Sequence, residues 1–566
     1  MTKLFFTTAL AMSALCLQAQ TVVSLDKAGT LSDKISSAEK YEITNLKISG
    51  PLNGTDFILL RDMAGMDQEN NKSNGTLETL DLTDASIVKG GEPYYVSYGG
   101  NADTEYYTSD NEMGHAMFIK CSTLKDVKLP TTVTAIGDSC FLECKALSNL
   151  DIPASVKEIG SYALSYTALE KFSFPEGMAI TEGVLSGCSS LISLTIPSDV
   201  TVIPRDAFSG TGIQEIELPK SLTKIGEEAF SASLITKVNC PESLLTIDAG
   251  AFSLCPNLTE VNFNNKLETI GNRAFSSCES LLEANIPNTV TTLGGSAFST
   301  CSGLKKVHLP EGLTKIETAL FDRCDKLEEV NIPETVTSIG ALAFQNNGKL
   351  SSVTFPEGLK DIGKNAFKSC YTLEEIILPQ SLDSLDVSCF DGCMNVVNIV
   401  LSPALKKIPR GAFSYCSSIE EIDIPEGVEV IGEMAFASCD ELRTVKIPST
   451  VTTLEKACFC DNWELAEVHC AALTPPTCGK NAFADMSEEN VLYVPTGTKQ
   501  TYETADTWSD FASIVEEETT DIKKNTVRTN VYETARYNIA GQNIGNDRNG
   551  IQIIKYSDGT SVKTVK

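Results

Sequence analysis

The chain has 566 residues, with 45 Lys and Arg against 75 Asp and Glu, a net charge of −30. That balance, with no basic run and no basic stripe interleaved with aromatics, argues against a phosphate-tracking nucleic-acid surface and against attraction to anionic membranes. With 42% hydrophobic and 21% charged residues the chain has the material for a large core, so its acidity belongs to the surface of a folded protein.

In chain order, Met1 to Gln20 combine Lys3, an apolar stretch from Leu4 to Leu17 and the small residue Ala19, the pattern of a signal peptide over residues 1–19. Cys16 follows Leu15, where lipid attachment needs a small residue. No later segment has the roughly 18 consecutive apolar residues of a membrane helix. The expectation is an exported chain, extracellular or at the cell surface, with no transmembrane segment. Residues 20–117 read as an N-terminal capping region with atypical repeats and an insertion, Lys89 to Gly114, rich in Tyr, Gly, Asn and Asp. Its Tyr94, Tyr95, Tyr98, Tyr106 and Tyr107 form a candidate contact surface, because one ring offers apolar area and a hydroxyl at low entropy cost. The alternative is a loop that only packs on the first coils.

From residue 118 to 490 a repeat takes over. Pro130, Pro153, Pro175, Pro197 and Pro219, and later Pro287, Pro310, Pro333 and Pro356, recur at intervals of 22 or 23 residues. A second register runs from Phe208 through Phe230, Phe252, Phe275, Phe298, Phe321 and Phe344 to Phe459, usually preceded by Ala. In the unit Leu327 to Phe344, LEEVNIPETVTSIGALAF, the expected inward residues are Leu327, Val330 and Ile332; Pro333 ends a short strand. Val336 and Ile339 form a second apolar pair, Gly340 turns, and Ala343–Phe344 cap the coil. No such coil buries its own apolar face, so coils must stack. The predicted fold is a β-rich solenoid, leucine-rich repeats of about 23 residues with short strands and turns or short helices, plus a small C-terminal β domain.

Motifs such as IPETVTSIGALAF (Ile332–Phe344) and IPEGVEVIGEMAFASC (Ile424–Cys439) resemble the BspA-like leucine-rich repeats of bacterial surface proteins. NGTDFILLRDMAG and LETLDLTDASI, between Leu46 and Val88, are similar to the atypical first coils of such proteins. LYVPTGTKQTYETADTWSDFASI, Leu492 to Ile514, is similar to their closing segment, so residues 491–518 are expected to form a C-terminal cap with Trp508 and Phe511 as covering residues. Residues 519–566 resemble the sorting or anchoring domains of Bacteroidetes secreted proteins, departing from that pattern at Gln552 where tyrosine is usual. What the BspA-like resemblance implies is adhesion to host extracellular-matrix or surface proteins, glycans or other cells. The rival readings are a structural cell-envelope protein and an accessory glycan-binding protein of a polysaccharide-using system.

Nineteen cysteines in an exported chain would suggest a disulfide framework, but position points elsewhere. Cys121, Cys144, Cys188, Cys255, Cys278, Cys301, Cys324, Cys370, Cys393, Cys416 and Cys439 all stand three residues after the Phe register, in which Leu164 and Leu185 fill the gaps, and Thr167, Thr211, Ser233, Asn347 and Asn462 replace them elsewhere. A column that accepts such replacements packs and satisfies backbone groups, so mostly free thiols are expected. Cys458, Cys460, His469, Cys470 and Cys478 lie within 21 residues. Structural packing, a local Cys460–Cys478 bridge and a metal site are the three readings; paired C-x-x-C elements are missing, so no metal or cofactor is assigned.

Catalysis has little to stand on: the histidines are His115, His308 and His469, and no phosphate loop, nucleophile elbow or H-E-x-x-H is present. No enzyme activity is assigned. Binding is better founded, since outward strand residues align in columns. One column runs Asn239, Asn262, Asn285, His308, Asn331, Thr354, Ile377, Val400, Asp423, Lys446 and His469; a second holds Glu215, Glu260, Glu283, Glu329, Glu375, Glu421 and Glu467. His308, Asn331, Thr354, Ile377 and Val400 are the candidate binding residues, with Ile377 and Val400 breaking the polar column. The alternative is that Met394, Val396 and Val397 signal an irregular coil covered by a loop. Outward aromatics in consecutive coils, the mark of a stacking surface for sugars, are not apparent in the main array.

Overall fold

The computed structural model describes residues 20–98 and 103–518 and, in the tail, the strands Glu533–Asn538, Ile551–Tyr556 and Ser561–Val565. The expected signal peptide lies outside the described residues. Two compact units are present, Met1–Thr335 with Leu342–Leu350, and Val336–Ala341 with Ser351–Lys566. Each is a β-solenoid whose coils repeat about every 23 residues, with few helices.

Three ladders of hydrogen bonds hold the coils of the first unit. In the first, strands Glu283–Asn285, Lys306–His308 and Glu329–Asn331 pair in parallel and in register. Their middle residues Ala284, Val307 and Val330 are buried and the flanking ones exposed, as a two-residue side-chain period requires. In the second, Val202–Ile203, Lys224–Ile225, Thr246–Ile247, Thr269–Ile270 and Thr292–Leu293 stack with their second residue inward. Glycine follows three of these strands, at Gly226, Gly271 and Gly294, where the chain turns close to the neighbouring coil: a Cβ at Gly294 would lie 2.4 Å from the Asn272 nitrogen.

The third ladder has no strand. The amides of Gly250, Phe252 and Leu254 donate to the carbonyls of Asn272, Ala274 and Ser276 in the next coil, each at 2.8 Å. Two residues here, four apart, are left-handed, with φ of +56° at Arg273 and +61° at Ser277, and the same pair recurs as Ser296 and Thr300 and as Ala319 and Arg323. A non-glycine residue in that region carries about 1–2 kcal/mol of strain. The vertical hydrogen bonds hold it there, since a relaxed turn would leave buried amides unpaired.

Inside, the rings of Phe208, Phe230, Phe252, Phe275, Phe298, Phe321 and Phe344 form one column with centroids 5.3–5.9 Å apart. The cysteine column runs beside it. Cys278 Sγ donates to the carbonyl of Phe252 and Cys301 Sγ to that of Phe275, both at 3.1 Å, and Asn347 Nδ2 makes the equivalent bond to Phe321 at 3.0 Å. That shared task explains why asparagine replaces cysteine. All eighteen cysteines among the described residues are free, and burial pushes the Cys301 thiol up to about 12.

The coil from Pro175 to Leu185 is one residue shorter than its neighbours. Among the described residues the second ladder consequently has no strand between Glu158–Ile159 and Val202–Ile203, and the Thr181 hydroxyl donates to the Ile159 carbonyl at 2.9 Å instead.

The unit begins with strands Thr21–Ser24, Asn45–Leu52 and Thr79–Ile87, parallel to Asp126–Lys128 and Asn149–Asp151. Helix Gly54–Met63 starts in a capping box, Asn53 accepting from Thr55 while Asp56 accepts from Asn53. Arg61 on this helix is fully buried and donates to the carbonyls of Ala116, Met117 and Asp67.

The second unit repeats the scheme. Glu375–Ile377 pairs with Asn398–Val400, and Glu421–Asp423, Thr444–Ile447, Glu467–Cys470, Val491–Pro495 and Ser513–Glu517 form one parallel sheet. Its phenylalanine column, Phe367 to Phe483 with centroids 5.2–5.6 Å apart, continues into Trp508, 5.3 Å from Phe483. Trp508 Nε1 donates to the Pro476 carbonyl and Tyr502 to that of Ala472, so these large side chains are buried without stranding a polar atom. The three tail strands form an antiparallel sheet.

Candidate functional site

The outward strand columns are where side chains are both aligned and available. In the first unit Asn239, Asn262, Asn285, His308 and Asn331 are exposed; Asn262 Nδ2 donates to Asn239 Oδ1 at 2.9 Å and to Glu260 Oε1 at 2.8 Å, and Lys237 pairs with Glu260. This part of the column is a polar ladder that satisfies itself.

In the second unit the column changes character. Thr354 is exposed, Ile377 retains 37% of its surface, and Val400 stands opposite it in register, half-buried. Asp423 is half-buried; burial pushes its carboxyl up to about 6, against the pull of Lys446 and with Glu421 adding to the rise. Lys446 pairs with Glu421 across its own strand partner. His469 stacks on Tyr493 with centroids 4.4 Å apart and places Nδ1 2.9 Å from Glu517 Oε1.

Several sequence readings need correction. Tyr94 and Tyr95 are buried: Tyr94 packs on Phe57 and donates to the His115 carbonyl at 2.8 Å, and Tyr95 stacks on Tyr106, itself half-buried against His115. The hairpin formed by Gly90–Ser97 and Thr104–Thr108 turns those rings inward, leaving Tyr98 and Tyr107 exposed. The coil around Met394 is regular and uncovered. Val396 fills the buried leucine position, while Met394 and Val397 are 43% and 64% exposed.

Outward aromatics on nearby coils also exist, at the corner before the strand and not on it. Tyr371 and Tyr415 retain 45% and 47% exposure on either side of the Met394 coil. The available signal was substitution: Val397 stands where neighbouring coils have Glu374 and Glu420, and Met394 where the next has Ser417.

Cys458, Cys460 and Cys470 are buried and Cys478 half-buried, and Cys470 Sγ lies 3.2 Å from the Tyr502 hydroxyl, so each is engaged in packing. Among the described residues no group of three or more His, Cys, Asp or Glu is arranged to hold a metal ion, and no helix is long and apolar enough to cross a membrane. At the short coil in the first unit, a shallow hollow of about 320 Å³ is lined by Met178, Ile180, Val200 and Val202, with Asp199 as its charged residue.

A family model described as BspA type leucine rich repeat region (6 copies) matches residues 111–236, 223–351 and 337–466, together more than half of the chain. Among solved structures, a leucine-rich repeat protein from Bacteroides ovatus is similar over 76% of this chain and 99% of its own, at 24% identity and a TM-score of 0.50. A leucine rich cell surface protein from Faecalibacterium prausnitzii matches over 66% and 85%, at 22% identity and a TM-score of 0.30. The pneumococcal vaccine antigen PcpA matches over 76% and 98%, at 21% and 0.37. The Bacteroides ovatus likeness speaks for the fold alone. Among the curated proteins there is no match.

Proposed function

The chain belongs to the BspA-type leucine-rich-repeat family, and on that premise we propose that it is a secreted or cell-surface binding protein, an adhesin for host proteins, glycans or other cells. Export would rest on residues 1–19, and residues 519–566 would sort or anchor the chain in a Bacteroidetes envelope. Residues 20–117 and 491–518 would close the two ends of the array. The reading includes no catalytic step, since the outward residues are columns of a display surface and not a converging set of acids, bases and nucleophiles.

The observation that carries the reading is the paired Ile377 and Val400. The equivalent column of the first unit carries the polar ladder of Asn239 and Asn262, and solubility alone gives no reason for two aliphatic side chains side by side in register here. The test is binding of the full chain to immobilised matrix proteins, mucin glycans and bacterial polysaccharides, beside an Ile377→Asp/Val400→Asp variant. Saturable binding that the variant loses supports an adhesive site on this face. Binding that survives moves the site elsewhere, with exposed Tyr98 and Tyr107 next in line. Binding to none of the surfaces would favour a structural envelope protein.

A further inference from the structure

The exposed apolar residues of the second unit are not confined to the strand. Along two consecutive coils the corner residues Tyr371, Met394 and Val397 lead into Ile377 and Val400, and Tyr415 stands on the next coil. The Val397 amide donates to the Glu374 carbonyl at 2.9 Å, so Val397 lies directly beside the Glu374 position, and Glu420 and Glu421 occupy the equivalent place one coil on. All four glutamates Glu374, Glu375, Glu420 and Glu421 are exposed. Cations are scarce around them: no Lys or Arg occurs between Lys368 and Lys406 or between Arg410 and Arg443, and Lys368 is tied to Asp391 at 2.6 Å. Glu421 is paired with Lys446 of the following coil, so the negative charge that borders the apolar patch above and below is that of Glu374, Glu375 and Glu420, with no Lys or Arg on the segments that carry them.

Resting on the proposal that the chain is a binding protein, we infer that this patch docks a protein segment carrying a large apolar side chain flanked by Lys or Arg. Apolar anchors supply most of the affinity at such sites when they are desolvated. Complementary charge at the rim sets orientation and association rate. A glycan fits the surface less well: Tyr371 and Tyr415 offer stacking faces, but Met394, Val397, Ile377 and Val400 between and beside them give aliphatic surface that the hydroxyl-rich edges of a sugar would desolvate without return.

The probe is a random peptide library displayed on phage and selected on the immobilised full chain, followed by synthesis of the enriched peptides. Enrichment of apolar residues flanked by Lys or Arg is expected. Affinity should fall at least about tenfold in Met394→Asp/Val397→Asp and about threefold to fivefold in Glu374→Gln/Glu420→Gln. Binding of the wild type should weaken as NaCl rises from about 0.05 to about 0.5 M. Both variants alter exposed positions, and a circular-dichroism melt matching the wild type establishes that they fold. Enriched peptides without basic residues, affinities unchanged in both variants, or mucin glycan binding lost in Met394→Asp/Val397→Asp would each overturn the inference. Binding of the full chain to matrix or glycan surfaces that ignores these variants would sink the inference while leaving the adhesive reading intact. Selected peptides that need Val397, with no binding to any of those surfaces, would do the reverse.

Discussion

Arg61 offers the sharpest test of how the first coils are held. Its side chain is fully buried, and its hydrogen-bond partners are carbonyls: Ala116 at 3.1 Å, Met117 at 2.9 Å, Asp67 at 3.0 Å and the Asn70 side chain at 2.8 Å. The guanidinium also lies 5.1 Å from the Tyr95 ring centroid. Arg61→Met keeps much of the packed stem but removes every donor. Asp67 and Asn70 are half-buried and can regain water, whereas the bonds to Ala116 and Met117 are buried. The Ala116 carbonyl keeps the Ile119 amide at 3.1 Å, so one buried acceptor, the Met117 carbonyl, is left unpaired at a cost of about 1–3 kcal/mol, and relief from holding a buried cation offsets part of it. We expect a net loss of about 2 kcal/mol in urea denaturation. Arg61→Lys should rescue little, because a point donor does not span a fork of four acceptors. Each coil touches only its neighbours, so native hydrogen exchange should show the loss at the amides of Phe118 and Lys120, which bond to Cys140 and Leu142, and not at Phe298 or Thr300. A loss under about 1 kcal/mol, or one spread evenly along the unit, would refute the reasoning.

Three further outcomes follow from the same structure. Asp423 has its folded carboxyl raised to about 6 against an ordinary value near 4, so the stability it contributes is full below about pH 4 and is lost as pH rises through 6. Asp423→Asn should flatten that part of the pH–stability curve, and an unchanged slope in urea titrations between those values would count against a buried carboxyl. The cysteine column should resist alkylation: with Cys301 pushed up to about 12 and buried, iodoacetamide at about pH 8 should label it only after unfolding, and rapid native labelling by peptide mass mapping would contradict the packing. Ala319, left-handed at φ +53°, belongs to a column that elsewhere holds Gly183, Gly250 and Gly411. Ala319→Gly should be neutral or raise stability by up to about 1 kcal/mol, and Ala319→Val should lower it by about 1–2 kcal/mol, with melting temperature as the measure.

The strands, the phenylalanine column and the cysteine column were legible because each needs one residue type every 22 or 23 positions. The third ladder was not, since its left-handed positions hold Arg273, Ser296, Ala319 and Leu342 as readily as glycine. What places those residues there is a backbone bond to the next coil, which leaves no compositional trace. Tyr94 and Tyr95 were misjudged for a related reason: tyrosine suits a contact surface and a hydrogen-bonded core equally, and only the hairpin's register decides. Between an exposed apolar patch and an irregular, covered coil around Met394 and Val397 the sequence did not decide, because a break in a polar column says that something differs without saying on which side of the wall. Arg61 drew no notice in the sequence, since nothing local marks a cation whose partners lie 55 and 56 residues away.

The third ladder has a consequence for how such a surface changes over time. Its bonds run from amide to carbonyl and are indifferent to the side chains at the left-handed positions, among them Leu254, Arg323 and Tyr415, which face solvent. Outward character can therefore be rewritten one coil at a time, or a whole coil duplicated, while the interior columns and the hydrogen bonds that align them stay as they are.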